Sequence, residues 1–144
     1  MTPNERTVLV SNVGGAVDGS AEPERLNQEG FAGFAERAGD GTPVVMLNLL
    51  SFKPDGGRER YGEYGDAVAP LLEKVGGRIV FAGEPAAALL GAGSWDLVAL
   101  VEYPTRQAFL EMIGSAEYQA IGHLRTEALA KGELHPMDPA EPTP

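Results

Sequence analysis

The sequence predicts an α+β fold in which a four-stranded antiparallel sheet carries helices on one face. Three observations predict it. Short apolar runs that suit strands alternate with amphipathic helical patterns after residue 43. Glycine and proline, at 19 and 11 of 144 residues, separate these runs and indicate short elements joined by turns. The run Asp96–Tyr103 meets Pro104 and passes at once into helical sequence, so the rest of the chain can be organised around this strand.

The composition is that of a single acidic domain. A length of 144 residues suffices to bury one core. The formal net charge of −10 argues against nucleic acid and anionic membranes as partners. Without cysteine, and with only two histidines, we expect neither a metal site nor a cofactor. The start resembles no signal peptide and no apolar run could span a membrane, so we expect a cytoplasmic protein.

Residues 1–41 are predicted to form an arm and one helix that packs on the main domain. Thr7–Val13 suits a short strand, with disorder as the alternative for roughly the first 20 residues. Leu26–Ala38 carries four apolar residues at positions i, i+3, i+4 and i+7 from Phe31, which is helical spacing. The main domain is expected over residues 42–138.

The main domain begins with a predicted strand and a predicted helix. Val44–Phe52 is apolar almost throughout, which favours a strand buried on both faces, with the amide of Asn48 on its inner side. Tyr61–Val75 has one apolar stripe and a charged opposite side, as an amphipathic helix does. Pro70 lies opposite the stripe and should kink this helix.

The next two runs predict a pair of strands. Arg78–Leu90 has a break at Gly83-Glu84-Pro85, where the proline implies an edge position or a bulge. Residues 91–94 make a loop of hairpin length, and Trp95–Tyr103 is the third strand.

The C-terminal third predicts two capped helices and a last strand. Thr105 and Ser115 are suitable N-caps for the two helices. Gly132–Met137 could form a short final strand, and residues 139–144 should be a disordered tail.

The predicted order is β-α-β-β-α-(α)-β, which is the ferredoxin-like split βαβ pattern. Its helices cover one sheet face, yet the strands are apolar on both faces. The sheet face without helices must therefore be buried by another apolar surface, and a second copy of the same sheet provides one. We expect a homodimer that packs sheet against sheet.

Arg125 is the most informative candidate for a functional residue, because a cation on an apolar helix face needs a partner. One interpretation is an internal ion pair with Glu102, Asp96 or Glu84. The other is an arginine that receives a carboxylate or enolate oxygen of a ligand. His123 is the candidate general base, although it projects away from the apolar stripe, as a solvated helix histidine would.

The remaining candidates are polar or aromatic side chains that could line a cavity between sheet and helices. Each also has a structural interpretation: a satisfied core amide or phenol, a solvated lysine, or an aromatic anchor for a strand end. The ligand-binding candidates are Asn48, Lys53, Tyr61, Tyr64, Trp95 and Tyr103.

Four segments in this order resemble the DUF1330 family of the dimeric α/β-barrel superfamily: PVVMLNLLSFK at 43–53, RYGEYGDAVAPLLEKVGGRI at 60–79, WDLVALVEYPTRQAFLEMI at 95–113 and SAEYQAIGHLRTEAL at 115–129. The resemblance implies a ferredoxin-like subunit and a dimer. The family is one of unknown function. Superfamily relatives include small cofactor-independent monooxygenases, muconolactone-type isomerases, haem-handling chlorite dismutase-like proteins and stress-responsive barrels.

Two hypotheses of function follow. The first is a small enzyme without metal or cofactor, of monooxygenase, isomerase or lyase type, acting on an aromatic or enolisable small molecule in the cavity. The second is a non-catalytic dimeric module that binds a ligand or is associated with stress. Haem binding is a weaker third, since it needs an axial ligand that faces the cavity. An enzyme should show converging polar groups in a hollow of about 300 Å³ or more, and a structural dimer a filled core.

Overall fold

The computed structural model describes residues 24–140, so the strand predicted at Thr7–Val13 lies outside the described residues. The predicted order of elements is confirmed there. The elements are α1 (Gln28–Glu36), β1 (Val44–Phe52), α2 (Gly57–Lys74), β2 (Arg78–Gly83), β3 (Leu97–Tyr103), α3 (Arg106–Gly114), α4 (Ala116–Ala128) and β4 (Leu129–Met137).

The four strands form one antiparallel sheet in the order β2-β3-β1-β4, which is the ferredoxin-like arrangement. Strand β1 is central and pairs with β3 from Val44↔Tyr103 to Leu50↔Leu97. Its other edge pairs with β4 through most of its length. The sheet does not close into a barrel, because β2 and β4 are its two edges.

The core lies between the sheet and the helices. Alternate residues of β1 (Val44, Met46, Asn48 and Leu50) are buried on this inner side, as the sequence predicts, while their neighbours in the strand are half-buried. Gly57 lets α2 begin close to the end of α4, since a Cβ there would lie 2.6 Å from the carbonyl oxygen of Ala128.

The N-caps predicted for the last two helices are confirmed. The hydroxyl of Thr105 accepts a hydrogen bond from the backbone N–H of Ala108 at 3.0 Å, and that of Ser115 accepts one from Tyr118 at 3.1 Å. Helix α2 stops at Gly76, which adopts a φ of +82° and is therefore suited to glycine. The helix continues through the exposed Pro70 and starts one turn earlier than the pattern indicates.

The strand predicted over Arg78–Leu90 is shorter than expected, and the loop after it is longer. Strand β2 ends at Gly83, and residues 84–96 connect it to β3. Pro85 has no backbone N–H to continue the hydrogen bonding between β2 and β3. The predicted break therefore ends the strand and does not merely interrupt it. The edge position of β2 agrees with the prediction, whereas its bulge lies between Ile79 and Phe81 and not at the proline.

Helix α1 packs against the main domain through aromatic contact. The rings of Phe34 and Phe109 meet edge to face, with centroids 5.4 Å apart. The side chain of Asn27 accepts a hydrogen bond from the N–H of Gly30 and caps this helix. None of the helices in the described part of the chain is both long and apolar enough to cross a membrane.

Candidate functional site

A cavity of about 510 Å³ lies between the inner sheet face and helices α2, α3 and α4. Most of its wall is apolar and comes from both layers. Ile79 of the edge strand β2 lines it while being 61% exposed, so the cavity opens toward that edge. Arg58 and Glu73, both exposed on α2, also border it. The apolar lining includes Met46, Val68, Leu72, Leu97, Ala99, Val101, Phe109, Met112 and Ile113.

All four tyrosines of the chain line this cavity. Tyr61 and Tyr64 come from α2, where their spacing of three places both on the inner stripe. Tyr103 is the last residue of β3, and Tyr118 lies in the first turn of α4. Their rings pack edge to face in a chain, with Tyr61–Tyr64 at 5.4 Å and Tyr64–Tyr118 at 6.3 Å between centroids.

The hydroxyls of Tyr64 and Tyr118 are hydrogen-bonded to each other at 2.9 Å. Each hydroxyl has one proton, so their mutual bond uses one and leaves the other for a second acceptor. Burial raises the pKa of Tyr64 well above its usual value and also raises the pKa of Tyr103 and of Tyr118. These three phenols are therefore neutral donors at neutral pH, not phenolate bases.

Arg125 projects from α4 into the polar end of the cavity, and its side chain is 6% exposed. Its Nε donates to Oε1 of Glu24 at 2.7 Å. Its Nη2 donates to Oδ1 of Asn48 at 3.2 Å, and its Nη1 donates to the hydroxyl of Tyr61 at 3.4 Å. A guanidinium has five N–H groups, so these three bonds leave one N–H on each terminal nitrogen.

The buried ion pair of Arg125 and Glu24 sets the charge of this end of the cavity. Burial by itself lowers the pKa of Arg125, but the Glu24 carboxylate and the surrounding phenol oxygens raise that pKa well above its usual value. Burial raises the pKa of Glu24, and the charge of Arg125 offsets part of that rise. The donor–acceptor distance of 2.7 Å is that of a charge-assisted hydrogen bond between a guanidinium and a carboxylate.

Asn48 connects this pair to the sheet. Its Nδ2 donates to the carbonyl oxygens of Met46 and Ala99, at 3.3 and 3.5 Å, while its Oδ1 accepts from Arg125. The amide is 6% exposed, so each of these bonds satisfies a group that would otherwise be buried without a partner. The backbone of two strands therefore fixes the orientation of the guanidinium.

The structure brings five of the eight predicted site residues to the cavity, and these are Asn48, Tyr61, Tyr64, Tyr103 and Arg125. His123 is exposed on α4 and does not line this cavity. Lys53 is exposed in the turn after β1, where its N–H donates to the Ala128 carbonyl.

Trp95 also lies outside the cavity. It precedes β3, and the ammonium of Lys131 lies 4.0 Å from the centre of its ring. This contact agrees with its interpretation as an anchor for a strand end. The next residue, Asp96, accepts a hydrogen bond from the N–H of Phe52 at 2.8 Å, so it fixes the end of β1.

Sequence reasoning missed two residues of this site. Tyr118 is absent from the predicted candidates, because a phenol at core spacing on a helix has the same pattern as a packing residue. Glu24 was missed altogether, since it lies 101 positions from Arg125 in a segment without periodicity. The three predicted partners of Arg125 bind elsewhere: Glu102 pairs with Arg78, Glu84 with Arg58, and Asp96 with the backbone of Phe52.

A second cavity of about 410 Å³ lies between α1 and β4, and it shares walls with the first at Met46, Phe109 and Leu134. Glu24 lines this second cavity, whereas Arg125 lines the first. Among residues 24–140, no three side chains of histidine, aspartate or glutamate lie close enough together to hold a metal ion.

The fold and the cavity define the chain as a ferredoxin-like α+β protein with an aromatic pocket between its two layers. The chain belongs to the DUF1330 family, described as a domain of unknown function, whose model matches residues 56–134 and thus more than half of the chain. No curated protein sequence matches it.

Several solved structures are similar to this chain. The crystal structure of RPA0582, a protein of unknown function from Rhodopseudomonas palustris, is 32% identical with a TM-score of 0.74, over 87% of this chain and 100% of that chain. The crystal structure of methylated RPA0582 is 31% identical with a TM-score of 0.73, over 90% of this chain and 98% of that chain. At3g17210 from Arabidopsis thaliana, at 16% identity and a TM-score of 0.56 over 69% and 98%, shares the fold.

Proposed function

We propose that this protein binds a small, mostly apolar molecule that carries a hydrogen-bond-accepting oxygen. The observation that carries the proposal is a cavity of about 510 Å³ on which four phenols and the buried guanidinium of Arg125 converge. Ligand sites in proteins are commonly 300–1,000 Å³, mostly apolar, with a few placed polar groups. The aromatic rings would contact the body of the ligand, and the donors at the Arg125 end would bind its oxygen.

The chemistry of the lining favours binding and polarisation of an oxygen over removal of a proton. Arg125, Asn48 and the neutral phenols are hydrogen-bond donors, which stabilise negative charge on a carbonyl, phenol or enolate oxygen. Among the described residues that line the cavity, the one carboxylate is that of Glu73, which is exposed. A binding module is therefore the function the geometry supports best, ahead of a monooxygenase, isomerase or lyase.

The tyrosines provide a test of this proposal, because every one of them lines the cavity and the single tryptophan does not. The full chain, isotopically labelled at tyrosine and tryptophan, is titrated with neutral aromatic carbonyl compounds and followed by NMR. We expect saturable shifts of the tyrosine signals while the Trp95 signal stays in place. Tyr64→Phe should weaken binding about tenfold, the value of one good hydrogen bond. A panel without any saturable tyrosine shift contradicts the proposal.

We also propose that the chain forms a homodimer through the outer face of its sheet. The centre of that face is apolar: Leu47 of β1 lies beside Leu100 of β3, and Phe81 of β2 is 58% exposed. Charges of both signs, including Arg78 and Glu133, surround it. A two-fold axis can therefore oppose unlike charges while two apolar surfaces cover each other.

The oligomeric state tests this second proposal. Light scattering on the eluting protein should give twice the chain mass. Leu47→Glu would bury a carboxylate without a partner and should weaken the dimer by about 3 kcal/mol, roughly 100-fold. Ala120→Glu adds the same charge on the exposed side of α4 and should leave the dimer intact. A monomeric wild type, or a Leu47→Glu protein that is still dimeric at low concentration, contradicts the sheet-face dimer.

A further inference from the structure

The two partners of the buried ion pair approach each other from different cavities. Arg125 faces the aromatic cavity, while Glu24 belongs to the wall of the second cavity beside β4. Glu24 therefore neutralises the guanidinium from the side of the second cavity. It does not occupy the space in the aromatic cavity that a ligand would take. The terminal nitrogens of Arg125 point instead to Asn48 and Tyr61, which do line that space.

This arrangement makes the polar end of the cavity neutral overall. The side chains of Arg125 and Glu24 are 6% and 11% exposed, so little water screens either charge. A ligand carboxylate placed beside Arg125 would put a second anion next to one buried cation. An anion buried without its own counter-ion is costly, whereas a neutral oxygen needs only a hydrogen bond. The net charge of −10 on the whole chain acts in the same direction.

The backbone of β4 passes directly beside the side chain of Glu24. Gly132 lies so close that a Cβ added there would be 2.8 Å from Cγ and 2.9 Å from Oε1 of Glu24. Gly132 has no positive φ, so the backbone itself accepts alanine. An added methyl group would therefore act on the carboxylate of Glu24, which is the movable member of the contact.

We propose that Glu24 is a built-in counter-ion that determines the specificity of the aromatic cavity: while it pairs with Arg125, the cavity accepts neutral carbonyl or phenol oxygens and rejects carboxylates. This rests on the proposed ligand-binding function. It assigns a specificity-determining role to a residue outside the cavity, and it names the ligand class as neutral.

The test uses a pair of probes of equal shape, 2-naphthamide and 2-naphthoate, titrated calorimetrically into the full chain at pH 7. Wild type should bind the amide at least tenfold more tightly than the carboxylate. Glu24→Gln, which leaves Arg125 without its counter-ion, should improve naphthoate binding at least tenfold and change naphthamide binding little. Glu29→Gln makes the same charge change at an exposed position of α1 and should alter neither affinity.

Gly132→Ala provides a second variant that changes no charge in the chain. It should move Glu24 away from Arg125 and likewise improve naphthoate binding, which keeps the test decisive if Glu24→Gln does not fold. Equal binding of the two probes to wild type overturns the counter-ion role, and so does an unchanged ratio in both variants. If wild type binds naphthamide and other neutral aromatic carbonyl compounds not at all, the proposed function itself has failed.

Discussion

The two faces of the sheet are built from the same strands, yet they carry different chemistry. On the inner face, the buried amide of Asn48 is hydrogen-bonded to the backbone and to the buried guanidinium of Arg125. On the outer face, the centre is apolar and the ion pair of Arg78 and Glu102 lies toward the end of β3. Burial of polar groups is tolerated where neighbouring elements supply their hydrogen bonds. The inner face is thus suited to hold a ligand, and the outer face to be covered by another apolar surface.

The largest expected effect is on the buried pair of the inner face. Arg125→Met keeps most of the side-chain volume but leaves the Glu24 carboxylate buried without a partner, which should lower the free energy of unfolding by about 3–5 kcal/mol. The double variant Arg125→Met/Glu24→Leu should recover most of this loss. Urea denaturation of the two single variants and the double variant measures the coupling. Additive losses would show that the two side chains do not depend on each other.

The next effect concerns the phenols of the inner face at alkaline pH. Their folded pKa values are raised by burial above the unfolded value of about 10, so the stability they contribute is present below pH 10 and is lost as pH rises toward the folded values. Each tyrosine that is neutral when folded and ionised when unfolded lowers the free energy of unfolding by about 1.4 kcal/mol for every unit of pH increase. Denaturation curves between pH 9 and 11 measure this slope, and the absorbance of tyrosinate should rise mainly on unfolding.

The difference between the two faces also separates what the sequence could predict from what it could not. Strand β1 is predicted with its bounds, because a nine-residue run with seven apolar residues is a local pattern. The caps Thr105 and Ser115 are local signals too. The end of β2 was misplaced, because the residues after Pro85 are apolar without being paired.

The site was predictable only in part, for a physical reason. Arg125 stood out because a cation on an apolar stripe needs a partner, but the pattern does not tell which acid supplies it. Glu24 reaches Arg125 through the tertiary fold across 101 positions. The cavity itself depends on small differences in side-chain volume between the layers, which periodicity does not record. The sequence hypotheses present an ion pair and a cavity as alternatives, and the structure contains both.

A smaller effect is expected for the phenol pair of the inner face. Tyr64→Phe removes the 2.9 Å hydrogen bond and leaves the buried hydroxyl of Tyr118 without that partner. The free energy of unfolding should fall by about 1–2 kcal/mol, whereas Tyr64→Phe/Tyr118→Phe should cost less than the sum of the two single changes. Thermal denaturation of the three variants tests this. A double variant as unstable as the sum would mean that the two hydroxyls are satisfied independently.

The smallest effect belongs to the ion pair of the outer face, although its N–O distance of 2.9 Å is close to the 2.7 Å of the buried pair. The side chains of Arg78 and Glu102 are 67% and 33% exposed, so water and salt screen their charges. Arg78→Met or Glu102→Gln should change the free energy of unfolding by about 0.5 kcal/mol or less, and added salt should reduce even this. Glu102 was a predicted partner of Arg125. If Glu102→Gln lowered the free energy of unfolding as much as Arg125→Met does, Glu102 would be the partner of Arg125 after all. The outer face would then contain the stronger ion pair.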